Sequence, residues 1–171
     1  VFQPAEEGLG GARQMLADGL FEQFPCDEIY GMHNAPGTPA GKVGICKGAA
    51  MAGASFFDIK VSGKGSHAAA PHMSKDALMI AATLATQIQT ILSRNIPAQE
   101  VCVLSITQIH AGSAYNVVPE TATLAGTIRY FKDEMVTLAG ERMQAICDGF
   151  ALAHGVEITL DLRNVFDVLQ N

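Results

Sequence analysis

The stretch FDIKVSGKGSHAAAPHMSKDALMIAATLATQIQTIL, residues 57–92, changes period halfway along, and that change decides the fold. Phe57, Ile59 and Val61 alternate with Asp58, Lys60 and Ser62, the two-residue period of a strand with one buried face. From Lys75 to Leu92 the period becomes helical, with Ala77, Ile80, Ala81, Leu84, Ile88 and Ile91 on one side. Between them GKGSHAAAPH, residues 63–72, is a loop of small residues that carries two histidines, His67 and His72.

Working outward, Val101–Ile109 is β-branched and strand-like, and HAGSAYNVVPE, residues 110–120, connects it to a third strand. There Leu124, Ile128 and Tyr130 alternate with Thr123, Thr127 and Arg129. Asp133 is a suitable N-cap for a second helix, whose apolar stripe is Met135, Ala139, Met143, Ile146, Phe150 and Ala153. Gly155 ends it, and Val156, Ile158, Leu160 and Leu162 form a fourth strand. The order β-α-β-β-α-β is the ferredoxin-like split unit. It predicts a four-stranded antiparallel sheet with two helices on one face, over residues 49–163.

Upstream lies a different pattern. Val1–Gln3 reads as the end of a buried strand stopped by Pro4, with Glu6-Glu7-Gly8 at the turn. Residues 10–20 carry a weak helical pattern, and Gly19 sits near its end, a common stop position. Ile29–Met32 reads as a second strand ending at His33-Asn34, before a Pro/Gly loop over 35–41. Residues 1–48 are thus expected to form part of an α/β domain. The composition shifts to Gly and Ala near Cys46–Gly53, and residues 164–171 are expected to return to the first domain.

Composition narrows the function. Of 171 residues 49% are hydrophobic and only 16% charged, which excludes a mainly disordered chain and implies surface that is covered in the native molecule. Eleven basic and 17 acidic residues give a net charge of −6 without a basic cluster, which argues against nucleic acid as a partner. The apolar stretches are broken by polar residues, so no membrane span is expected. Cys26, Cys46, Cys102 and Cys147 are far apart and form no CxxC pair, as suits free thiols in a reducing compartment, the cytoplasm.

Several residues could carry chemistry. In the Glu6-Glu7 pair one carboxylate could ligate a metal while the other takes a proton from water; adjacent acids also simply favour a helix N-terminus. His33, at a strand end, has the imidazole of a zinc ligand or of a structural histidine. His67 lies among small side chains, where its N–H could stabilise an oxyanion. Asn116 could bond a substrate carbonyl or form a turn. Arg129 could fork onto a carboxylate or solvate the sheet.

In this order FQPAEEG, GMHN, GKGSHAAAPH, AYNVVPE and GTIRYF resemble the metal-dependent aminoacylase and carboxypeptidase family, in its branch of amidohydrolases that includes hippurate hydrolase and the indole-acetyl-amino-acid hydrolases. The resemblance runs along nearly the whole chain. It implies that Glu6 is the general base and that Glu7 and His33 are metal ligands. It also implies that the split unit is a lid and dimerisation domain, and that His67 reaches the partner subunit's site to polarise the scissile carbonyl. Asn116 would help hold the substrate and Arg129 would anchor its carboxylate. The implied reaction is hydrolysis of an N-acyl amino acid or peptide-like amide, with two divalent ions, zinc or manganese.

The family's CGHDGH segment, with a Cys and a His ligand, has no counterpart in this sequence, and neither does its C-terminal His ligand. Two ligands are too few for a tight site. The expectation is therefore a piece of a longer amidohydrolase that alone binds metal weakly and hydrolyses nothing measurable. A non-catalytic dimerisation module of the same fold is the alternative. A small-molecule-sensing domain ranks below both, because it leaves Glu6-Glu7 and His33 unexplained.

Overall fold

The computed structural model describes residues 1–6 and 10–171. Two short helices come first, α1 (Gly11–Ala17) and α2 (Leu20–Gln23). Then follow β1 (Ala49–Met51), β2 (Gly53–Ser62), β3 (Ser66–His67), a 3-10 turn at Pro71–Met73 and α3 (Ala77–Arg94). The remainder is β4 (Cys102–Ala111), β5 (Val117–Val118), β6 (Thr121–Tyr130), α4 (Asp133–His154), β7 (Glu157–Phe166) and β8 (Leu169–Gln170).

The main sheet has the order β4-β6-β2-β7, and every neighbouring pair in it is antiparallel. With α3 and α4 packed on one face it is the ferredoxin-like arrangement that the periodicity predicts. Phe57, Ile59 and Val61 are fully buried between sheet and helices, against Leu84, Ile88 and Ile91 of α3 and Ala139, Met143 and Cys147 of α4. On α4 the buried line thus runs through Cys147, while Ala153 of the expected stripe is exposed. Capping also differs. Asp76 caps α3, its carboxylate accepting from the N–H groups of Leu78 and Met79 at 3.0 and 3.1 Å. Asp133 is instead the first residue of α4, where with Glu134 it opposes the positive end of the helix.

Gly126 faces Phe57 across the β2–β6 pair. A Cβ there would lie 2.1 Å from the Ser105 carbonyl oxygen and 2.5 Å from the Phe57 ring. Only glycine fits, because the clash falls on backbone as well as on a buried ring. Gly126→Ala is expected to cost about 3 kcal/mol, read as a fall of roughly 10 °C in Tm in a thermal melt.

The thiols offer a second check on the core. Cys26 and Cys46 are exposed, Cys102 is half-buried and Cys147 is buried. Burial pushes the Cys147 thiol from 9.0 up to about 11. The folded chain therefore holds this proton more tightly than the unfolded chain. Its contribution to stability is complete below pH 9.0 and is lost as pH rises through about 11. A thiol reagent at neutral pH should modify Cys26 and Cys46 quickly and Cys147 only on unfolding. The alkaline fall in Tm should be shallower in Cys147→Ala.

The smaller α/β unit comprises α1, α2 and a ribbon in which β1 pairs with β8. Gly48 and Asn171 extend the ribbon by exchanging backbone hydrogen bonds of 3.1 and 2.9 Å, and the Asn171 side-chain amide donates to the Cys46 carbonyl. The expected helix over 10–20 forms, broken at Gly19, which takes a left-handed φ of 82° and starts α2. The strands expected at Val1–Gln3 and Ile29–Met32 do not form: these segments find no ladder partner among the described residues. Phe2, Tyr30 and Met32 stand 99%, 84% and 92% exposed. An apolar run becomes a strand only when another strand satisfies its backbone groups and another layer covers it.

Candidate functional site

The GKGSHAAAPH loop is built by close approaches between backbones. Lys64 and Lys75 exchange N–H···O bonds of 3.0 and 2.9 Å, which closes the loop at its base. A Cβ on Gly63 would lie 2.1 Å from the Lys75 carbonyl oxygen, and one on Gly65 3.0 Å from that of Val118. The glycines thus let two backbones meet, a role the sequence reading does not assign them. Lys75 also donates its ammonium to the Gly155 carbonyl at the C-terminus of α4, tying the loop to the helix layer. It is a scaffolding residue that the motif alone does not disclose.

Within the loop, β3 pairs with β5, so that His67 stands opposite Val117. The Ala68 N–H donates to the Asn116 carbonyl at 2.9 Å. The structure therefore brings His67 and Asn116 together at one end of the sheet, both exposed. Arg129 is not with them. It sits on the sheet face opposite the helices, in register with Ala54 and Val103. It lies eight positions along β6 from Thr121, where the His67 end begins. At about 3.3 Å per residue that is roughly 26 Å.

Glu6 follows Ala5, whose φ of 49° is left-handed, a conformation that strains a residue with a Cβ. The Ala5 carbonyl accepts from the Gly11 N–H at 3.4 Å, and a Cβ on Gly11 would meet the Pro4 carbonyl oxygen at 1.7 Å. The turn bearing Glu6 is thus folded against the start of α1. Glu7 lies outside the described residues. His33 is exposed, with Nδ1 2.7 Å from the Asn34 carbonyl oxygen. A carbonyl only accepts, so Nδ1 carries the proton and Nε2 keeps its lone pair, as a metal ligand requires.

That tests the fit of a divalent ion. The donor types suit one, but among the described residues no three His, Cys, Asp or Glu side chains gather to hold it. No complete metal site is present in them.

Residues 50–153 match the model of the M20 peptidase dimerisation domain. This chain belongs to that family. Among curated M20 relatives, hippurate hydrolase of Campylobacter jejuni is 41% identical over 170 residues, covering 99% of this chain and 44% of the relative. N-acetyldiaminopimelate deacetylase of Streptococcus sanguinis is 41% identical over 163 residues, or 95% and 43% of the two chains. Among solved structures, a protein of methicillin-resistant Staphylococcus aureus superposes at a TM-score of 0.89 with 30% identity, over 99% of this chain and 45% of that one. A dinuclear metal-binding M20 peptidase of Bacillus subtilis gives 0.74 with 30% identity, over 99% and 41%. The M20 chain thus spans less than half the length of these relatives. None of its helices, among the described residues, is long and apolar enough to cross a membrane.

Proposed function

We propose that this chain is the lid and part of the catalytic domain of a metal-dependent amidohydrolase that cleaves N-acyl amino acids. The observation that carries the reading is sequence identity of 41% to a hippurate hydrolase and to an N-acetyldiaminopimelate deacetylase, over 99% and 95% of the chain. A Bacillus subtilis N-acetylcysteine deacetylase, 38% identical over 157 residues, is a further relative. These three names share an acyl group on an amino acid's nitrogen; the amino acid differs in each, and the acyl group is acetyl in two of them. The reaction class follows from the shared part, and the preferred acyl group does not.

Residues 1–48 serve as the catalytic portion and 49–163 as the lid. A divalent ion, zinc or manganese and one of two in the complete site, would be held by Glu7 and His33 together with ligands from outside this chain, and would supply Lewis acidity toward water and the acyl oxygen. Glu6 takes the proton of the attacking water and returns it to the leaving amine. The His67 N–H binds the acyl oxygen as it becomes an oxyanion, and Asn116 beside it bonds the substrate. Arg129 holds the carboxylate of the amino acid.

The roughly 26 Å between Arg129 and the His67 end exceeds an N-acyl amino acid. One substrate therefore touches both only if they come from two copies of the chain, as in a homodimer through the lid. Edge strand β4 suits such pairing, with Val103 and Ile109 46% and 52% exposed on it. On the other edge, β7 carries Arg163 bound to Asp58 and Asp161.

A narrower role for the chain by itself rests on ligand count, since Glu7 and His33 alone are too few for a tight site: it pairs without hydrolysing. Sedimentation at micromolar concentration should show a dimer, and a strict monomer would count against the lid role. The catalytic reading is tested by a hybrid in which residues 1–171 replace the matching 170-residue stretch of the Campylobacter jejuni enzyme. Loaded with manganese or zinc, the hybrid should hydrolyse hippurate or an N-acetyl amino acid, whereas the chain alone should not. A folded, metal-loaded hybrid that cleaves no such substrate refutes the assignment.

A further inference from the structure

Three successive N–H groups follow His67, and each has a different partner. That of Ala68 donates to the Asn116 carbonyl at 2.9 Å, and that of Ala70 to the His67 carbonyl at 2.8 Å. Between them the Ala69 N–H donates to the His67 ring itself, at Nδ1, over 3.1 Å. The turn is held from the other side by the Ser66 hydroxyl, placed 3.2 Å from both the His67 and the Ala70 carbonyl oxygens. With its base closed by Lys64 and Lys75 and its tip paired to β5, the segment carrying Ala69 is fixed relative to the ring.

An amide N–H can only donate. The ring nitrogen facing it must therefore be the one without a proton, which leaves the proton of the neutral imidazole on Nε2. Turning the ring over would set a carbon against the Ala69 N–H and leave that amide without its partner. The arrangement at His33 is the reverse, since there a carbonyl faces Nδ1.

We propose that the Ala69 backbone N–H is a positioning group that locks His67 in the Nε2–H tautomer, so that the ring meets a substrate's acyl oxygen as a hydrogen-bond donor and not as a base. The donor half of this statement rests on the amidohydrolase reading; the lock does not. It separates the jobs of the two candidate proton carriers. Glu6 moves the proton, and the imidazole keeps its own throughout. The ligand chemistry that fits is an acceptor oxygen that gains charge, as an amide carbonyl does on attack.

The lock is tested on the chain itself by nitrogen-15 NMR of the histidine rings at about pH 8.5, well above the usual histidine range. The expected result is a bare Nδ1 and a protonated Nε2 in His67, the latter tautomer in roughly tenfold excess, with scalar coupling between the Ala69 amide nitrogen and Nδ1 across the hydrogen bond. A protonated Nδ1, or a tautomer mixture like that of free imidazole with no coupling, overturns it. The donor role is tested in the hybrid enzyme. A glutamine amide reaches about where Nε2–H lies and an asparagine amide only about as far as Nδ1. His67→Gln should therefore keep at least tenfold more kcat than His67→Asn, at similar KM. An active hybrid in which His67→Asn equals or exceeds His67→Gln overturns the donor role. A hybrid without any activity, beside an intact NMR signature, counts against the amidohydrolase reading and leaves the lock standing.

Discussion

Replacing Glu6 by glutamine in the hybrid hydrolase should lower kcat about a thousandfold and leave KM within a few-fold. Glutamine keeps the size and the hydrogen-bonding oxygen of the side chain but cannot accept a proton. Binding therefore survives and proton transfer does not. The position of Glu6 sharpens the test. Ala5 before it adopts a left-handed φ of 49°, and the turn is folded against Gly11. Gln fits that turn as well as Glu does, so unfolding should not account for the loss. Glu22→Gln on α2, exposed and outside the site, is the matched control and should leave kcat unchanged. The measurement is steady-state hydrolysis of hippurate by the metal-loaded hybrid with and without each substitution. Undiminished turnover in Glu6→Gln would remove this carboxylate from the mechanism.

The split unit was legible in the sequence because its elements pack against one another. The alternation in 57–62 and the 3.6-residue period in 75–92 each bury a face that another part of the same chain covers, so local pattern and tertiary contact agree. The first 48 residues lack that agreement. Val1–Gln3 and Ile29–Met32 have the composition of strands, but a strand is a relation between two segments, and no described residue pairs with them. The misplaced cap at Asp133 has another cause: the residue suits either the cap or the first turn, and the sequence does not distinguish a shift of one position. At the site, the histidines and the asparagine could be picked out by residue type. Lys75 and the Ala69 amide could not, because their parts are played through backbone groups and a long-range contact with Gly155 that no motif encodes.

Mixing two dead variants should restore activity. His67→Ala removes the proposed oxyanion donor and Glu6→Gln the proposed base, and each hybrid homodimer should be close to inactive. If His67 serves its own subunit's site, a mixed dimer contains one site without a donor and one without a base, and nothing is regained. If His67 reaches across, the subunit with intact Glu6 receives His67 from its partner and one complete site forms. Half of randomly assorted dimers are mixed, each with one good site of two, so recovery should approach roughly a quarter of the unsubstituted activity. The structural ground is the sheet itself. Arg129 stands at one end of β6 and the paired His67 and Asn116 segments lie beyond the other, roughly 26 Å away. A rigid four-stranded sheet cannot fold those ends onto one small amide, and a second copy laid antiparallel along edge strand β4 would bring its His67 end toward the first copy's Arg129. Co-refolding the two variants at equal concentration and assaying N-acyl amino acid hydrolysis decides the matter: recovery places His67 in trans, and its absence from verified mixed dimers places His67 in cis.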